Sequence, residues 1–517
     1  MMAEPTGELE VLPIGLKTVI ADDDLKVSIY YLECLAQATY LIQHEDKALI
    51  VDPRRDVDAY LQEFQKEGLK LTGILETHFH ADFVSGHYEL SQRTGAPIYF
   101  GPTAKERTKF EIHQVQDGEV IPFTGRYSVR VLHTPGHTPE SVVYLLTDNT
   151  NSTPIQAFTG DTLFIGSCGR PDLVGSIGRT AEEMAQFMFK SLTNKIKTLP
   201  DHVKVFPAHG AGSPCGKNLS NKLYSTIGDE KATNPALSFD KESEFVAFLI
   251  EGQPVAPGYF LHDVQMNLTG APPLLEELAH IPHLSPADFK QLVDSGTTTI
   301  LDTRPQVDFN SGHIPGSINF SLGVAEGAGT IVGVEDGNFA IWVGTLISND
   351  TPLLIVNSLG KESEALQRLS RIGYTSYIKG ILCGGFGAYK EAGLPVEKHC
   401  SVDLKSGPPL DSYVSKGYQI IDVRTEGEYG GNKVRGALNL PLAKLRTLQN
   451  SLDKSQKYIA YCVSGYRSAI ASSLLRQAGF DVVDVTFGFA AVSVFAPTHT
   501  TTGKVCPSMK KLISGLV

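Results

Sequence analysis

No two cysteines of this chain stand in a CxxC pair, and their total, seven, is odd. Both facts argue against a disulfide framework or a structural zinc site. The thiols at 34, 168, 215, 383, 400, 462 and 506 read as reduced side chains, most of them packing residues and one or two reactive. Basic excess is missing too. The 45 Lys and Arg against 57 Asp and Glu leave a net charge of −12, so nucleic acid is not an expected partner. No apolar run reaches the roughly 18 residues of a membrane span, and no membrane partner is expected. Met1 to Glu10 is acidic and lacks the cationic and apolar regions of a secretory signal or the Arg-rich character of a transit peptide, which makes a cytoplasmic location the expectation.

What is present is ordinary globular composition, and at about 100–200 residues per domain the length allows three or four domains, or two with one large. Residues from about 25 to 235 alternate short β-rich runs with helical stretches. Val27–Leu32, Thr39–Ile42, Ala48–Val51, Leu71–Leu75, Val129–His133, Ser141–Leu146 and Ile155–Phe158 are predicted strands. Val57–Glu67 and Ala181–Leu192 are predicted helices. Strands first, then helices between strands, suit an α/β sandwich. A Pro- and Gly-rich stretch with Pro254, Pro257, Pro272 and Pro273 reads as a linker. An internal repeat follows. Asp302-Thr-Arg304 and Gly316-Ser-Ile-Asn319 recur 120 residues later as Asp422-Val-Arg424 and Gly436-Ala-Leu-Asn439. Gly385-Phe-Gly-Ala388 recurs 103 residues later as Gly488-Phe-Ala-Ala491, so the first copy carries an insertion, assigned to Val324–Trp342. Pro395 to Pro409 separate the copies.

Several residues in the first region can converge on a cation. Thr77-His78-Phe-His80-Ala-Asp82 follows a predicted buried strand. His137 in His133-Thr-Pro-Gly-His137-Thr, Asp161 in Thr159-Gly-Asp161, and His209 in Pro207-Ala-His209-Gly each stand at a later strand end beside a Gly or Pro turn. Imidazole and carboxylate suit Zn or Fe. These motifs, in this order over roughly residues 25–235, resemble the metallo-β-lactamase superfamily. Its two-zinc hydrolases, glyoxalase II among them, use HxHxDH; here Phe83 follows Asp82, and a phenyl ring cannot ligate metal. That counts against a two-metal hydrolase and leaves a mononuclear site, and the sequence resembles the persulfide dioxygenase branch. That resemblance implies His78, His137 and Asp161 as ligands of one Fe(II) per chain, with His80, Asp82 and His209 orienting ligands and waters or adding ligation. Two His and a carboxylate leave three octahedral positions open, and zinc lacks the redox change needed to activate O₂. His133 reads as a strand-end structural residue. Cys168-Gly-Arg170 matches a CGR segment of the dioxygenases, which makes Arg170 a candidate for holding the site or an anionic thiol substrate. The loop His209-Gly-Ala-Gly-Ser-Pro-Cys215-Gly-Lys217 resembles that of rhodanese-fused dioxygenases and makes Cys215 a candidate for persulfide handling.

Tyr461-Cys462-Val-Ser-Gly465-Tyr-Arg467-Ser468 follows an apolar strand and opens a helix, Ser468–Gln477. Backbone N–H groups and the helix dipole at such a junction favour a thiolate and can hold a persulfide sulfur. Arg467 adds positive charge for thiosulfate or sulfite. With Asp422-Val-Arg424, Gly436-Ala-Leu-Asn439-Leu-Pro441 and Gly488-Phe-Ala-Ala491 around it, this loop resembles the rhodanese family. The first copy has Asn357 at the Cys position and Glu362 at the Arg position, reads as catalytically dead, and leaves Cys383 a structural role.

The fold expected is α/β, with an N-terminal metallo-β-lactamase αββα sandwich and two rhodanese-like α/β domains with parallel sheets. The boundaries expected are 1–250 for the dioxygenase domain, 251–282 for the linker, 283–398 for the inactive copy and 403–512 for the active one. The activity implied is oxidation of a thiol persulfide, glutathione being the expected carrier, by O₂ to sulfite, coupled to sulfur transfer through a Cys462 persulfide with thiosulfate or sulfite. The alternative is a two-zinc, glyoxalase II-like thioester hydrolase with a rhodanese passenger. The sequence leaves a homo-oligomer open.

Overall fold

A computed structural model of the chain describes residues 16–496 except 23, 33–34, 174–177, 218, 254–255 and 324–338, together with 500–501. Cys34, Cys506 and most of the stretch assigned to the insertion lie outside the described residues. The chain divides into two compact units, Met1–Ala279 with Gln367–Thr375, and His280–Leu366 with Ser376–Val517. No helix among the described residues is long and apolar enough to cross a membrane.

The first unit is an αββα sandwich. One sheet runs in chain order through Leu16–Asp22, Leu25–Leu32, Gln37–His44, Lys47–Val51, Lys70–Leu75, Ile98–Phe100 and His113–Gln114. Its first four strands are antiparallel and the last three join parallel. The other sheet has the order Ser225–Thr226, Lys204–Pro207, Thr153–Gly160, Val142–Asp148, Tyr127–His133, Val120–Pro122. The strand Val142–Asp148, VVYLLTD, shows why the sequence runs lack polar alternation: all of its residues are buried. Val142, Tyr144 and Leu146 face the core between the sheets, where they meet Tyr40, Ile42 and Leu75. Val143 and Leu145 face the outer helices with Ala185, Met188 and Phe245. A strand covered on both faces needs apolar residues at every position, and each such side chain contributes about 1.5–3 kcal/mol on burial. Helix Ala181–Ser191 starts at a capping box, in which Thr180 accepts from the Glu183 amide and the Glu183 side chain reaches back to the Thr180 amide.

The stretch expected to be a linker is largely structured. Helices Phe260–Thr269 and Leu274–Ala279 belong to the first unit and bury Phe260, Asp263, Asn267, Leu274 and Leu278. Pro257 precedes the first helix and Pro272-Pro273 the second. Proline is tolerated at a helix start because its missing N–H would have no partner there. These prolines therefore mark helix beginnings rather than open chain.

The second unit holds the repeat as two five-stranded sheets of the same order, with parallel pairing throughout among the described residues. One is His283–Leu284, Ile378–Leu382, Leu353–Val356, Thr299–Asp302, Ile318–Asn319; the other is Ser401–Val402, Asp481–Val485, Lys457–Tyr461, Gln419–Asp422, Leu438–Asn439. Asp302 pairs with Val356 and Asp422 with Tyr461, so the residues that leave the central strands at the same register are Asn357 and Cys462.

Candidate metal centre and sulfur-transfer loop

The segment from Glu76 to Ser85 leaves the end of strand Lys70–Leu75 as buried, irregular backbone, which must find hydrogen-bond partners outside a ladder. Asp52, at the end of the neighbouring strand, supplies two: its Oδ1 accepts from the Thr77 amide at 2.8 Å and its Oδ2 from Thr77 Oγ1 at 2.9 Å. Asn267 supplies three. Its Nδ2 donates to the carbonyls of His80 and Phe83, both at 2.9 Å, and its Oδ1 accepts from the Ser85 amide at 2.8 Å. Tyr259 Oη donates to the Asp82 carbonyl at 3.3 Å. The helix that the sequence offered as linker thus braces the loop carrying the candidate ligands.

His78, His137 and Asp161 come together. Asp161 Oδ2 lies 3.3 Å from His137 Nε2 and 3.9 Å from His78 Nε2, and the two rings stand perpendicular with centroids 4.9 Å apart. Both imidazoles are oriented from behind. His137 Nδ1 donates to the Arg170 carbonyl at 2.8 Å. Thr77 Oγ1 spends its proton on Asp52 and accepts from His78 Nδ1 at 2.9 Å. Each ring then turns an Nε2 lone pair toward Asp161, the arrangement second partners impose on metal-binding histidines. Burial, followed by the neighbouring imidazoles, pushes His78 well below its ordinary range, so it is neutral. His78 Nε2 and both Asp161 oxygens are buried without a hydrogen-bond partner. Such atoms cost on the order of 1–3 kcal/mol each when left unmet; a shared cation meets all of them. The backbone is shaped to the same end. Gly160 has φ +51°, and a Cβ there would stand 2.6 Å from Thr77 Cβ. A Cβ on Gly169 would meet the Asp161 carbonyl and lie 3.1 Å from His137 Nδ1.

A second donor set, His80, Asp82 and His209, adjoins the first. His209 Nε2 is 3.3 Å from Asp82 Oδ2 and 3.5 Å from Asp161 Oδ1. His80 is engaged elsewhere: its Nε2 lies 3.1 Å from Asp52 Oδ1 and 3.4 Å from Glu76 Oε2. Burial opposes a charge on His80, but the two acids outweigh it and hold the ring protonated well above its ordinary range. Phe83 is buried with its ring 4.4 Å from the His80 ring, which closes that side with carbon. Cys215 has its sulfur within 4.8 Å of ligand atoms of Asp161 and His209. Burial, then the charges of Asp82 and Asp161, push its thiol well up. Burial alone raises the Cys168 thiol, to about 12. His133, off this cluster, has its Nε2 2.8 Å from the Pro139 carbonyl.

The Arg170 guanidinium is buried and committed, with Nε and Nη2 each 2.7 Å from Asp172 and Nη1 3.0 Å from the Pro214 carbonyl. Of the two roles expected, holding the site is the one these contacts serve, and the Arg170 carbonyl also orients His137. A small cleft beside His137 is walled by Phe79, Ala81, Leu173, Leu261 and Val264 and is lined also by Arg107, which donates to Glu140 Oε2 at 2.9 Å. Asp52, Glu76, Asn267, Arg107 and Glu140 were not singled out from the sequence. Of these only Asp52 leaves a trace there, as an acid at the end of an apolar run.

In the second unit Cys462 is buried, and its Sγ accepts from the Gly465 amide at 3.1 Å and from Ser468 Oγ at 3.7 Å. Gly465, at φ +107°, turns that amide inward just before helix Tyr466–Gln477. Arg467, expected to meet thiosulfate or sulfite, forms a two-pronged pair with Glu428, 2.8 Å on each prong. Its charge also acts on the Cys462 sulfur, so Glu428 holds the guanidinium beside the loop. The first copy lends residues to this loop. Tyr466 Oη donates to the Ser321 carbonyl at 3.1 Å, and Gln306 Oε1 would lie 3.2 Å from a Cβ on Gly465. In the first copy Asn357 Oδ1 accepts from Thr303 Oγ1 at 2.6 Å.

The Metallo-beta-lactamase superfamily is matched over residues 32–209, and the Rhodanese-like domain over residues 285–392 and 410–494. The chain is 39% identical over 166 residues to a hydroxyacylglutathione hydrolase of Prochlorococcus marinus (strain MIT 9211), covering 32% of this chain and 60% of that protein's length. It is 31% identical over 215 residues to "Persulfide dioxygenase ETHE1, mitochondrial" of Homo sapiens, covering 41% of this chain and 75% of that protein. A crystal structure of a metallo-beta-lactamase from Staphylococcus aureus subsp. aureus COL superposes with a TM-score of 0.57 at 33% identity, over 69% of this chain and 99% of that one. The chain belongs to the metallo-β-lactamase superfamily, with two rhodanese-like domains C-terminal to that fold.

Proposed function

We propose that the N-terminal fold oxidises a thiol persulfide, with glutathione as the expected carrier, at a single non-haem Fe(II) held by His78, His137 and Asp161. Persulfide, O₂ and water give thiol and sulfite, with two protons released. Bound iron supplies the redox capacity that zinc lacks and keeps three coordination positions open. The chain's own residues do the rest. Thr77 and the Arg170 carbonyl fix the tautomers of His78 and His137. Phe79, Ala81 and Leu173 keep water from the cleft beside His137. Cys215, whose sulfur lies near ligand atoms of Asp161 and His209, is the candidate for persulfide handling, as a neutral thiol. In the segment assigned to the active copy, 403–512, Cys462 carries sulfane sulfur between thiosulfate or sulfite and a thiol, with the Gly465 amide and Ser468 hydroxyl stabilising the sulfur anion.

The observation that carries this reading is Phe83 packed on His80, which itself is taken by Asp52 and Glu76. A second cation would lose a ligand there. The likeness to a protein named persulfide dioxygenase supports the same branch. A second reading, a two-zinc thioester hydrolase with a rhodanese passenger, draws on the second donor set and on the likeness to a hydroxyacylglutathione hydrolase. Metal analysis of the anaerobically purified chain, together with thioester cleavage assays, separates the two. One iron per chain and no thioester cleavage is the expected result; two zinc ions with cleavage would overturn it.

A further inference from the structure

His313, Glu397 and His399 lie in the second unit, away from Cys462 chemistry and unused by the reading above. Their ligand atoms fall within 4.8 Å of one another. The backbone that carries them is already fixed. The amide of His313 donates to the Glu397 carbonyl and that of Glu397 to the His313 carbonyl, both at 2.9 Å, and the His399 amide donates to the Asn310 carbonyl at 3.0 Å. Two segments far apart in sequence, the loop after helix Gln306–Ser311 and the connector between the repeats, are thus zipped together with three donors on one side.

We propose that His313, Glu397 and His399 form a further metal site, taking a borderline divalent transition ion of the Zn(II) class through two imidazoles and one carboxylate, with the remaining position open to water. His313 is prepared for this. Its Nδ1 donates to the Phe309 carbonyl at 2.9 Å, which fixes the tautomer with the lone pair on Nε2, and its ring stacks on Phe309 with centroids 3.9 Å apart. Nε2 lies 3.9 Å from Glu397 Oε2, and the two imidazole centroids are 4.3 Å apart. Bonds of about 2.0–2.2 Å in a tetrahedral site put ligand atoms about 3.3 Å apart. The carboxylate of Glu397, 53% exposed, and the half-buried His399 ring need only a small swing to reach that spacing. Arg476 lies close enough to act on both rings. The Arg476 charge is met by the Val482 carbonyl, 2.7 Å from Nε, and by Asp484, 3.9 Å from Nη2. An open cleft lined by His399, with Lys398, Arg476 and Asp481 on its wall, gives an ion access. The second copy has Lys433 at the register of His313, so only the first copy can hold this ion. The ion would pin the connector to the copy that lacks the nucleophile.

The test is a Co(II) titration of the iron-loaded full chain, read by visible ligand-field absorption and by metal content after gel filtration, alongside His399→Ala and Glu397→Gln. Both substituted positions lie outside the fixed core, and iron content serves as the folding control. The expected result is uptake of one more Co(II) per chain by the unsubstituted protein than by His399→Ala, and an affinity at least about tenfold weaker in Glu397→Gln. Equal uptake by the unsubstituted chain and both variants would overturn the proposal.

Discussion

In the first rhodanese-like copy Arg304 Nη2 meets Asp302 Oδ2 at 2.6 Å, and in the second Arg424 Nη2 meets Asp422 Oδ2 at the same distance. Asn319 Nδ2 ties the carbonyls of Asp302 and Arg304 at 3.1 and 2.9 Å; Asn439 ties those of Asp422 and Arg424 at 3.0 and 2.9 Å. Each guanidinium lies on a phenyl ring, Phe386 at 4.0 Å and Phe489 at 4.4 Å. At the end of the next strand the copies part. Cys462 faces the Gly465 amide, whereas Asn357 turns to Thr303. The buried ion pair and its carbonyl tie are therefore requirements of the sheet, kept in both copies. The nucleophile is not, and in its place an amide accepts a hydrogen bond from Thr303.

The comparison can be broken at several levels. The largest effect is expected at the nucleophile. Cys462→Ala should lower thiosulfate sulfurtransferase turnover by roughly a thousandfold or more, while Asn357→Ala leaves it within about twofold; cyanide or thiol acceptor assays check both. Substantial turnover in Cys462→Ala would mean that the first copy carries chemistry after all. Next comes the shared scaffold. Asp302→Asn and Asp422→Asn each strand a buried guanidinium and should each cost about 3–5 kcal/mol in urea unfolding. A loss confined to one copy would show that the matched geometry is not matched energetics.

The smallest effect sharpens a difference. Burial works to raise Glu428, but Arg467 and then Thr425 outweigh it and hold the carboxyl down at about 2. The ordinary value is 4.5, so the folded state gains stability from this group above about pH 4.5 and loses it as pH falls toward 2. Glu428→Gln should be less stable than the unsubstituted chain at neutral pH, by about 1 kcal/mol or less for a pair this close to solvent. The gap should close between pH 4.5 and 2. Acid unfolding curves with a constant gap would count against the pair.

Much of this was legible in the sequence. Runs such as VVYLLTD can only be strands buried on two faces, and the repeat announced two sheets of one order. His78 follows the end of a strand, and His137 and Asp161 stand beside Gly or Pro turns at strand ends, where a convergent site can form. Other features were not legible because their partners are set by tertiary packing. The pairing of Arg170 with Asp172 and of Arg467 with Glu428 is one such case. Asn267 sits in a stretch whose prolines suggested a linker, and no local pattern connects it to the loop it braces. Asp52 and Glu76 are isolated acids in sequence and become the partners of His80 only when the strands align.

The most direct test of the account is O₂ consumption by the iron-loaded Cys462→Ser chain on addition of preformed glutathione persulfide, with sulfite measured in the same sample. The expected result is O₂ uptake and sulfite formation equal to those of the unsubstituted chain, with thiosulfate-dependent uptake lost. No O₂ uptake from either protein would contradict a persulfide dioxygenase site at His78, His137 and Asp161.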